Sequence, residues 1–138
     1  MPNKLAHKKY KVIVDTLPQD YPKEFEMKAA ENVAQYFKTN IVFRRKGFGK
    51  SADLDVKGVI WEIKSPNGNS KNTIKNNINE ASDQSKRIII DLSRCDIPFL
   101  RARSRALHHL KTYSRHIQQV MVITKNGIVI EIFRRKQK

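Results

Sequence analysis

The chain has 138 residues, with 28 Lys or Arg against 13 Asp or Glu, so its formal net charge is +15. This length predicts a single domain around one core, and the dense apolar patches argue against intrinsic disorder. The lone Cys95 excludes an internal disulfide framework and a cysteine zinc cluster. No apolar run approaches the roughly 20 residues of a membrane helix, so we expect no membrane association.

The hydrophobic periodicity predicts three helices and seven strands. In chain order they are strand 10–14, helix 23–38, strands 41–43, 53–56 and 59–64, helix 71–85, strand 87–92, helix 98–113, and strands 119–124 and 128–133. From the first helix onward the core order is α-β-β-β-α-β, followed by a C-terminal helix and two strands. This alternation predicts a single-domain α/β sandwich with a mixed sheet.

The positive charge is concentrated in two stretches. Residues 101–138 hold ten Lys or Arg and one acid, Glu131, and a second cluster occupies a Gly-containing loop. Such clusters neutralise phosphates and release counterions, which favours a nucleic-acid partner. The alternatives are a solvated basic face or one paired with an acidic protein. The candidate nucleic-acid-binding residues are Arg44, Arg45, Lys46, Lys50, Arg101, Arg103, Arg105, Arg134 and Arg135.

Two strands around the turn Lys57-Gly58 predict a hairpin in which Asp53 lies opposite Glu62. Side chains alternate along a strand, so Lys64 shares the face of these two acids. Two opposed carboxylates repel each other unless a cation lies between them. Their hard oxygen atoms suit Mg²⁺ or Mn²⁺, with Zn²⁺ as a further option. In the alternative interpretation, Glu62 and Lys64 are solvent-side residues of an amphipathic edge strand.

The two helices before and after this hairpin add candidates. Glu26 falls on the apolar stripe of the first helix, between Val33 and Phe37, where a carboxylate is costly unless it is paired or bound to a metal. The alternative is a residue at the rim of the stripe that reaches water. Gln84, at the end of the second helix, is a candidate to hold a phosphate or the attacking water, unless it is simply a polar helix flank.

The segment ADLDVKGVIWEIKSPNGNSKNTI, followed by QSKRIIIDL, resembles the PD-(D/E)xK nuclease superfamily. Within that superfamily it is most similar to the C-terminal tRNA-nuclease toxin domains of contact-dependent growth-inhibition proteins and to related nucleases of mobile elements. The resemblance covers residues 23–92, and Ala52 stands where the superfamily often has Pro. It implies catalytic roles for Glu26, Asp53, Glu62, Lys64 and Gln84, of which Glu26, Asp53 and Glu62 would be metal ligands.

The resemblance implies a single nuclease domain over residues 1–138. A basic N-terminal segment (1–20) precedes the catalytic core (23–92), and a basic extension (97–138) follows it. The implied function is a metal-dependent endonuclease that cleaves RNA, with tRNA as the first candidate substrate. It would act in the cytoplasm of a target cell into which it is delivered, and a small acidic immunity protein would be its partner.

Two other functions remain open at this stage. The chain is alternatively a DNA endonuclease of a mobile element, or a non-catalytic basic module that binds nucleic acid. A structural protein matched to an acidic partner is a third idea. The sequence leaves the oligomeric state and the number of metal ions undecided.

Overall fold

The structure is a computed structural model that describes residues 9–45, 52–68, 70, 72–82, 85–112 and 116–136. These residues form seven strands and three α-helices, in the predicted order. The elements are β1 (Val12–Asp15), α1 (Glu24–Phe37), β2 (Ile41–Arg45), β3 (Ala52–Val56), β4 (Val59–Lys64), α2 (Thr73–Ser82), β5 (Arg87–Asp91), α3 (Phe99–Thr112), β6 (Gln119–Ile123) and β7 (Val129–Arg134).

The seven strands form one mixed sheet whose spatial order follows the chain, from β1 to β7. Strand β1 pairs parallel with β2, and β2, β3 and β4 pair antiparallel. Strands β4, β5 and β6 are parallel, and β7 returns antiparallel to β6. The predicted α-β-β-β-α-β core order and the mixed sheet are therefore confirmed.

The helices cover the two faces of the sheet, and each face has its own apolar core. On one face Val33 of α1 packs with Leu54, Trp61 and Ile63. On the other face, α2 and α3 pack against alternate residues of β5, such as Ile88. Because successive side chains of a strand point to opposite faces, the neighbours of Leu54, Trp61 and Ile63 belong to the α2 face.

Helix α1 begins where its sequence supplies a cap. The Glu26 carboxylate accepts a hydrogen bond from the backbone N–H of Lys23 at 3.0 Å, which satisfies one of the unpaired donors of the first turn. The helix ends at Lys38, whose φ of 56° is left-handed and turns the chain into β2. Its buried residues are Ala29, Ala30, Val33 and Ala34, and this row of small side chains lets the helix lie close to the sheet.

The strand registers bring several chain segments to one end of the sheet. Arg45 pairs with Ala52, which also pairs with Ile63 of β4. Lys64 pairs with Ile90, the residue before Asp91. We call this end, where β2, β4, β5 and β6 finish and β3 begins, the cleft end. None of the described helices is long and apolar enough to cross a membrane.

Candidate active site

The β3–β4 hairpin has the predicted turn and register. Lys57 and Gly58 both have positive φ values, 53° and 86°, as a two-residue turn between twisted strands requires. The backbone N–H of Gly58 also donates to Oδ1 of Asp55 at 2.8 Å. From this turn the pairing places Asp53 opposite Glu62, as predicted. Directly opposed residues have Cβ atoms about 4.5–5.5 Å apart, so the two carboxylates are close neighbours.

Both carboxylates lie inside the protein, on the α2 face of the sheet. Glu62 is 0% exposed and Asp53 is 9% exposed. Their neighbours Leu54 and Trp61 are buried against α1 on the opposite face. A buried pair of like charges, held together by the hairpin register, is a costly arrangement that a cation offsets. The two acids therefore have the chemistry of a site for a hard cation.

Lys64 is two residues after Glu62 and belongs to the same face of β4. Its side chain is 14% exposed, and its Nζ lies 3.3 Å from Oε2 of Glu80 on α2. The sequence analysis did not single out Glu80. On a helical wheel drawn from the sequence, Glu80 lies on the same polar stripe as Thr73, Asn77 and Gln84. The sequence pattern therefore indicated Glu80 as well.

Glu26, the third predicted ligand, contacts a guanidinium group and a backbone N–H. It lies on the α1 side of the sheet, where Oε1 accepts from Nη2 of Arg45 at 2.7 Å and from the N–H of Lys23 at 3.0 Å. Across the described ranges, no three His, Cys, Asp or Glu side chains come together in a group that could hold a metal ion. Helix α1 packs on the face opposite to Asp53 and Glu62, and Glu26 borders the same cleft as Lys64 at the end of the sheet.

Arg45, a predicted nucleic-acid-binding residue, has partners inside the protein. Its side chain is 15% exposed, is paired with Glu26, and donates from Nε to the carbonyl of Asp20 at 3.3 Å. Arg44 belongs to the opposite face of β2. Its Nη1 lies 3.3 Å from Oδ2 of Asp55, and its Nε lies 3.5 Å from Oδ2 of Asp15. One predicted cation is therefore internal, and the other, 43% exposed, is balanced by two acids.

Two of the clefts at the cleft end of the sheet border the ring of Phe25. The smaller, about 140 Å³, lies beside Glu26 and Lys64 and is closed on one side by Arg94. The larger, about 350 Å³, lies between α1 and the turn that connects β6 and β7. The ring of Phe25 borders both clefts, and the guanidinium of Arg94 stacks on that ring at 3.6 Å from its centroid.

The sequence of the chain identifies its family. Residues 50–129, more than half of the 138 residues, match the family described as "Contact-dependent growth inhibition CdiA C-terminal domain". The chain belongs to this family. In this CdiA C-terminal domain the matched residues include Asp53, Glu62 and Lys64, whereas Glu26 precedes them. No curated protein matches the sequence.

The fold of the CdiA C-terminal domain is also similar to that of a solved protein. That protein was solved in a structure described as "CdiA-CT/CdiI toxin and immunity complex from Burkholderia pseudomallei". The TM-score is 0.64 at 16% sequence identity, over 91% of this chain and 99% of the other chain. At this identity the likeness concerns the fold. It spans nearly the whole chain, and thus also the helix α1 that precedes the matched residues.

The predicted basic residues of the C-terminal part occupy two separate surfaces. Arg101 and Arg103 are exposed on α3, and Arg105 is half-buried. At the opposite end of the sheet from the two clefts, a further depression of about 310 Å³ is lined by four cations and two glutamines: Arg87, Gln118, Gln119, Arg134, Arg135 and Lys136. The sequence analysis missed Arg87, because only the β5–β6–β7 pairing brings it beside the last strand.

One of these cations is already engaged by an acid. Arg134 donates from Nε and Nη2 to the two carboxylate oxygens of Glu131, both at 2.7 Å. This bidentate contact lowers the pKa of Glu131, although burial opposes the effect, and it raises the pKa of Arg134. Three of the predicted site residues, Lys46, Lys50 and Gln84, lie outside the described residues.

Proposed function

We propose that this CdiA C-terminal domain is a metal-dependent endonuclease toxin of the PD-(D/E)xK type, with RNA, and tRNA first, as its substrate. The observation that carries the proposal is the opposition of Asp53 and Glu62, both buried, on the face of Lys64. The family and the net charge of +15 support it, because a polyanionic substrate requires a basic protein. RNA rather than DNA rests on the resemblance to tRNA-nuclease domains.

The fit of a divalent ion is supported by the donor set. Asp53 and Glu62 supply hard carboxylate oxygens, which suit Mg²⁺ or Mn²⁺, and such ions usually retain several waters and bind substrate phosphate as well. We assign the ion to these two residues. We assign Glu26 a structural role, in which it caps α1 and contacts Arg45. When bound, the ion supplies Lewis-acid stabilisation of charge on the phosphate.

The remaining roles belong to side chains. Lys64 would hold the attacking water through Nζ and offset negative charge that develops on the phosphate. Glu80, at 3.3 Å, would orient the ammonium group, and its side chain is 66% exposed, so the contact adds little to stability. Gln84, which lies outside the described residues, is proposed to bind the phosphate or the water. Exposed Arg101 and Arg103 would bind the backbone of the nucleic acid.

The partner and the place of action are proposed on the same grounds. The structural neighbour was solved as a toxin and immunity complex, and the strongly basic surface of this chain would attract an acidic protein. We therefore propose an acidic immunity protein as the partner, and the cytoplasm of a target cell as the place where the toxin acts.

The decisive experiment incubates the purified protein with tRNA, total RNA and plasmid DNA, with Mg²⁺ or Mn²⁺ and with chelator. We expect tRNA cleavage that requires the ion. Glu62→Gln should lower the cleavage rate by more than about 100-fold, because one of two charged ligands is lost while the side chain keeps its size. Glu24→Gln, a change at an exposed acid of α1, is the matched control and should leave the rate unchanged.

The alternatives have distinct outcomes. Plasmid cleavage without RNA cleavage would identify a DNA endonuclease. Salt-sensitive RNA binding that is equal in the wild type and in Glu62→Gln, with no cleavage under any metal condition, would identify a non-catalytic binding module. The second alternative is favoured by one observation, the lack of a three-residue metal-ligand group among the residues that the structure describes.

A further inference from the structure

The larger cleft at the cleft end has the size and the polarity of a nucleotide site. Its volume is about 350 Å³, within the range of roughly 300–1,000 Å³ that is usual for small-molecule sites. Three elements build it: one side of α1, the end of β5, and the turn between β6 and β7. Ligands commonly bind beyond the carboxyl ends of parallel strands, which is where β5 and β6 end here.

An acid lines this cleft. Asp91 is 1% exposed, and its Oδ1 accepts from the N–H of Ser93 at 3.0 Å. Its Oδ2 accepts from the hydroxyls of Ser93, at 3.0 Å, and of Ser65, at 3.3 Å. A carboxylate offers about four acceptor positions, and donors from the described residues fill three of them. This part of the cleft therefore favours a ligand that presents an N–H group.

Cations and amides line the rest of the cleft. Lys28 and Lys125 are exposed cations that suit a phosphate, and Asn32 and Asn126 each offer a donor and an acceptor. Over the described ranges, no hydrogen bond engages the side-chain amide of Asn32 or Asn126. Asn32 also lies next to the turn, since a Cβ added at Gly127 would be 3.0 Å from its Nδ2.

An aromatic ring separates this cleft from the proposed active site. Phe25 borders both clefts, and Arg94 covers the ring at 3.6 Å. Arg94 also donates from Nη2 to the carbonyl of Ser65 at 3.0 Å, directly after Lys64. Aromatic rings and guanidinium planes are the surfaces on which unpaired RNA bases stack. The cleft is thus one residue layer away from the proposed catalytic lysine.

We propose that this cleft binds one ribonucleotide of the substrate, with the base directed toward Asp91 and Asn32 and the phosphate toward Lys28 and Lys125. The inference rests on the proposed nuclease function and deepens it, because it names the residues that select an unpaired nucleotide. All four RNA bases present N–H groups that can donate to the Asp91 carboxylate. A phosphate alone uses only the two lysines.

The test measures binding apart from cleavage. The intact protein, with chelator present, is titrated with AMP, GMP, CMP, UMP and base-free ribose 5-phosphate, and amide NMR shifts report binding. We expect a nucleotide to shift residues 25–32, 91–93 and 124–127 and to bind more tightly than ribose 5-phosphate. Asn32→Ala should weaken nucleotide binding by about 10-fold, since one net hydrogen bond is lost. Alanine is favourable inside a helix, so the variant should fold.

Matched controls separate this site from general charge effects. Asn76→Ala, at an exposed position of α2 outside the cleft, should leave nucleotide binding unchanged. Lys125→Gln should weaken nucleotide and ribose 5-phosphate alike, by up to about 5-fold, because it removes an exposed cation. In RNA cleavage, Asn32→Ala should raise KM by about 10-fold and leave kcat unchanged.

Several outcomes would overturn the inference. They are no shift at the cleft, equal binding of nucleotides and ribose 5-phosphate, or equal effects of Asn32→Ala and Asn76→Ala. These results do not depend on catalysis. A protein that cleaves RNA but fails these binding tests keeps the proposed function and loses the nucleotide site. A protein that binds nucleotides as expected but does not cleave RNA loses the proposed function instead.

Discussion

Glutamates on the two faces of the sheet have contrasting environments. On the α2 face, Glu62 is fully buried and lies opposite a second acid, Asp53. On the α1 face, Glu26 lies 2.7 Å from a guanidinium nitrogen of Arg45 and caps its own helix. The first arrangement places two buried carboxylates opposite each other and suits a bound cation, whereas the second is an ion pair that holds α1 to β2. The role of an acidic residue near a functional region therefore depends on the charged groups that it contacts, not on its position in the sequence.

The comparison predicts opposite effects on stability and activity. Arg45→Met should lower the free energy of unfolding by about 1–3 kcal/mol, because it leaves the carboxylate of Glu26, whose side chain is only 16% exposed, without its guanidinium partner. Cleavage by the folded variant should fall by less than about 10-fold, since the pair lies on the face away from the proposed ion. Urea denaturation and the tRNA cleavage assay measure the two effects.

Glu26→Gln is the companion variant for this pair. It keeps the size of the side chain and removes the charge, so it should also cost stability and spare most of the activity. If Glu26→Gln instead abolished cleavage with unchanged stability, Glu26 would be a ligand after all. The contrast between the two faces of the sheet would then be wrong.

The sequence predicts the hairpin well because its geometry is local. A two-residue turn at Lys57-Gly58 fixes the register, and the two-residue period of a strand then decides which side chains share a face. The pairing of Asp53 with Glu62 follows from these facts alone. The same alternation predicts that Trp61 lies on the opposite face, where it packs against α1.

The parts that escaped prediction depend on contacts between distant segments. The wheel of α1 shows that Glu26 lies near the buried stripe, but Arg45 reaches it only because β2 lies under the start of the helix. The nucleotide cleft joins α1 to the turn at Lys125, about a hundred residues later in the chain. No short-range sequence pattern predicts this contact between α1 and the turn.

Two glycines test how much each region depends on its turn. Gly58, at φ 86° in the hairpin, has nothing within 4 Å of an added Cβ, whereas Gly127, at φ 82°, would place a Cβ 3.0 Å from Asn32. Gly58→Ala should cost about 1 kcal/mol from left-handed strain alone. Gly127→Ala should cost the same strain plus the displacement of Asn32, or about 2 kcal/mol.

Urea midpoints of the two glycine variants measure this difference. Gly127→Ala should in addition weaken nucleotide binding, whereas Gly58→Ala should not, because only the first change reaches the cleft. Equal costs of the two substitutions would show that Asn32 moves aside freely. The amide would then not be fixed against the turn.

The smallest expected effect is a pH dependence on the α2 face. His109 of α3 is 4% exposed, and its Nε2 is hydrogen-bonded to Oδ1 of Asn79 on α2 at 2.7 Å. Burial, and then the charges of Lys75 and His108, lower the pKa of His109 from the ordinary value of 6.5. The unfolded chain therefore binds this proton more readily than the folded protein. Its contribution to stability is present above about pH 6.5 and is lost as the pH falls below that value.

Urea denaturation at about pH 8 and about pH 5.5 measures this loss. His109→Gln keeps a donor for Asn79 but cannot be protonated, so its midpoint should fall less on acidification than that of the wild type. Lys111→Gln is the matched control, because Lys111 is an exposed cation of the same helix that is not among the charges lowering the pKa of His109, and its midpoint should fall as in the wild type. If both variants flattened the pH dependence equally, the effect would come from charge on α3 in general. The α2–α3 contact at His109 would then be no more sensitive to pH than the face covered by α1.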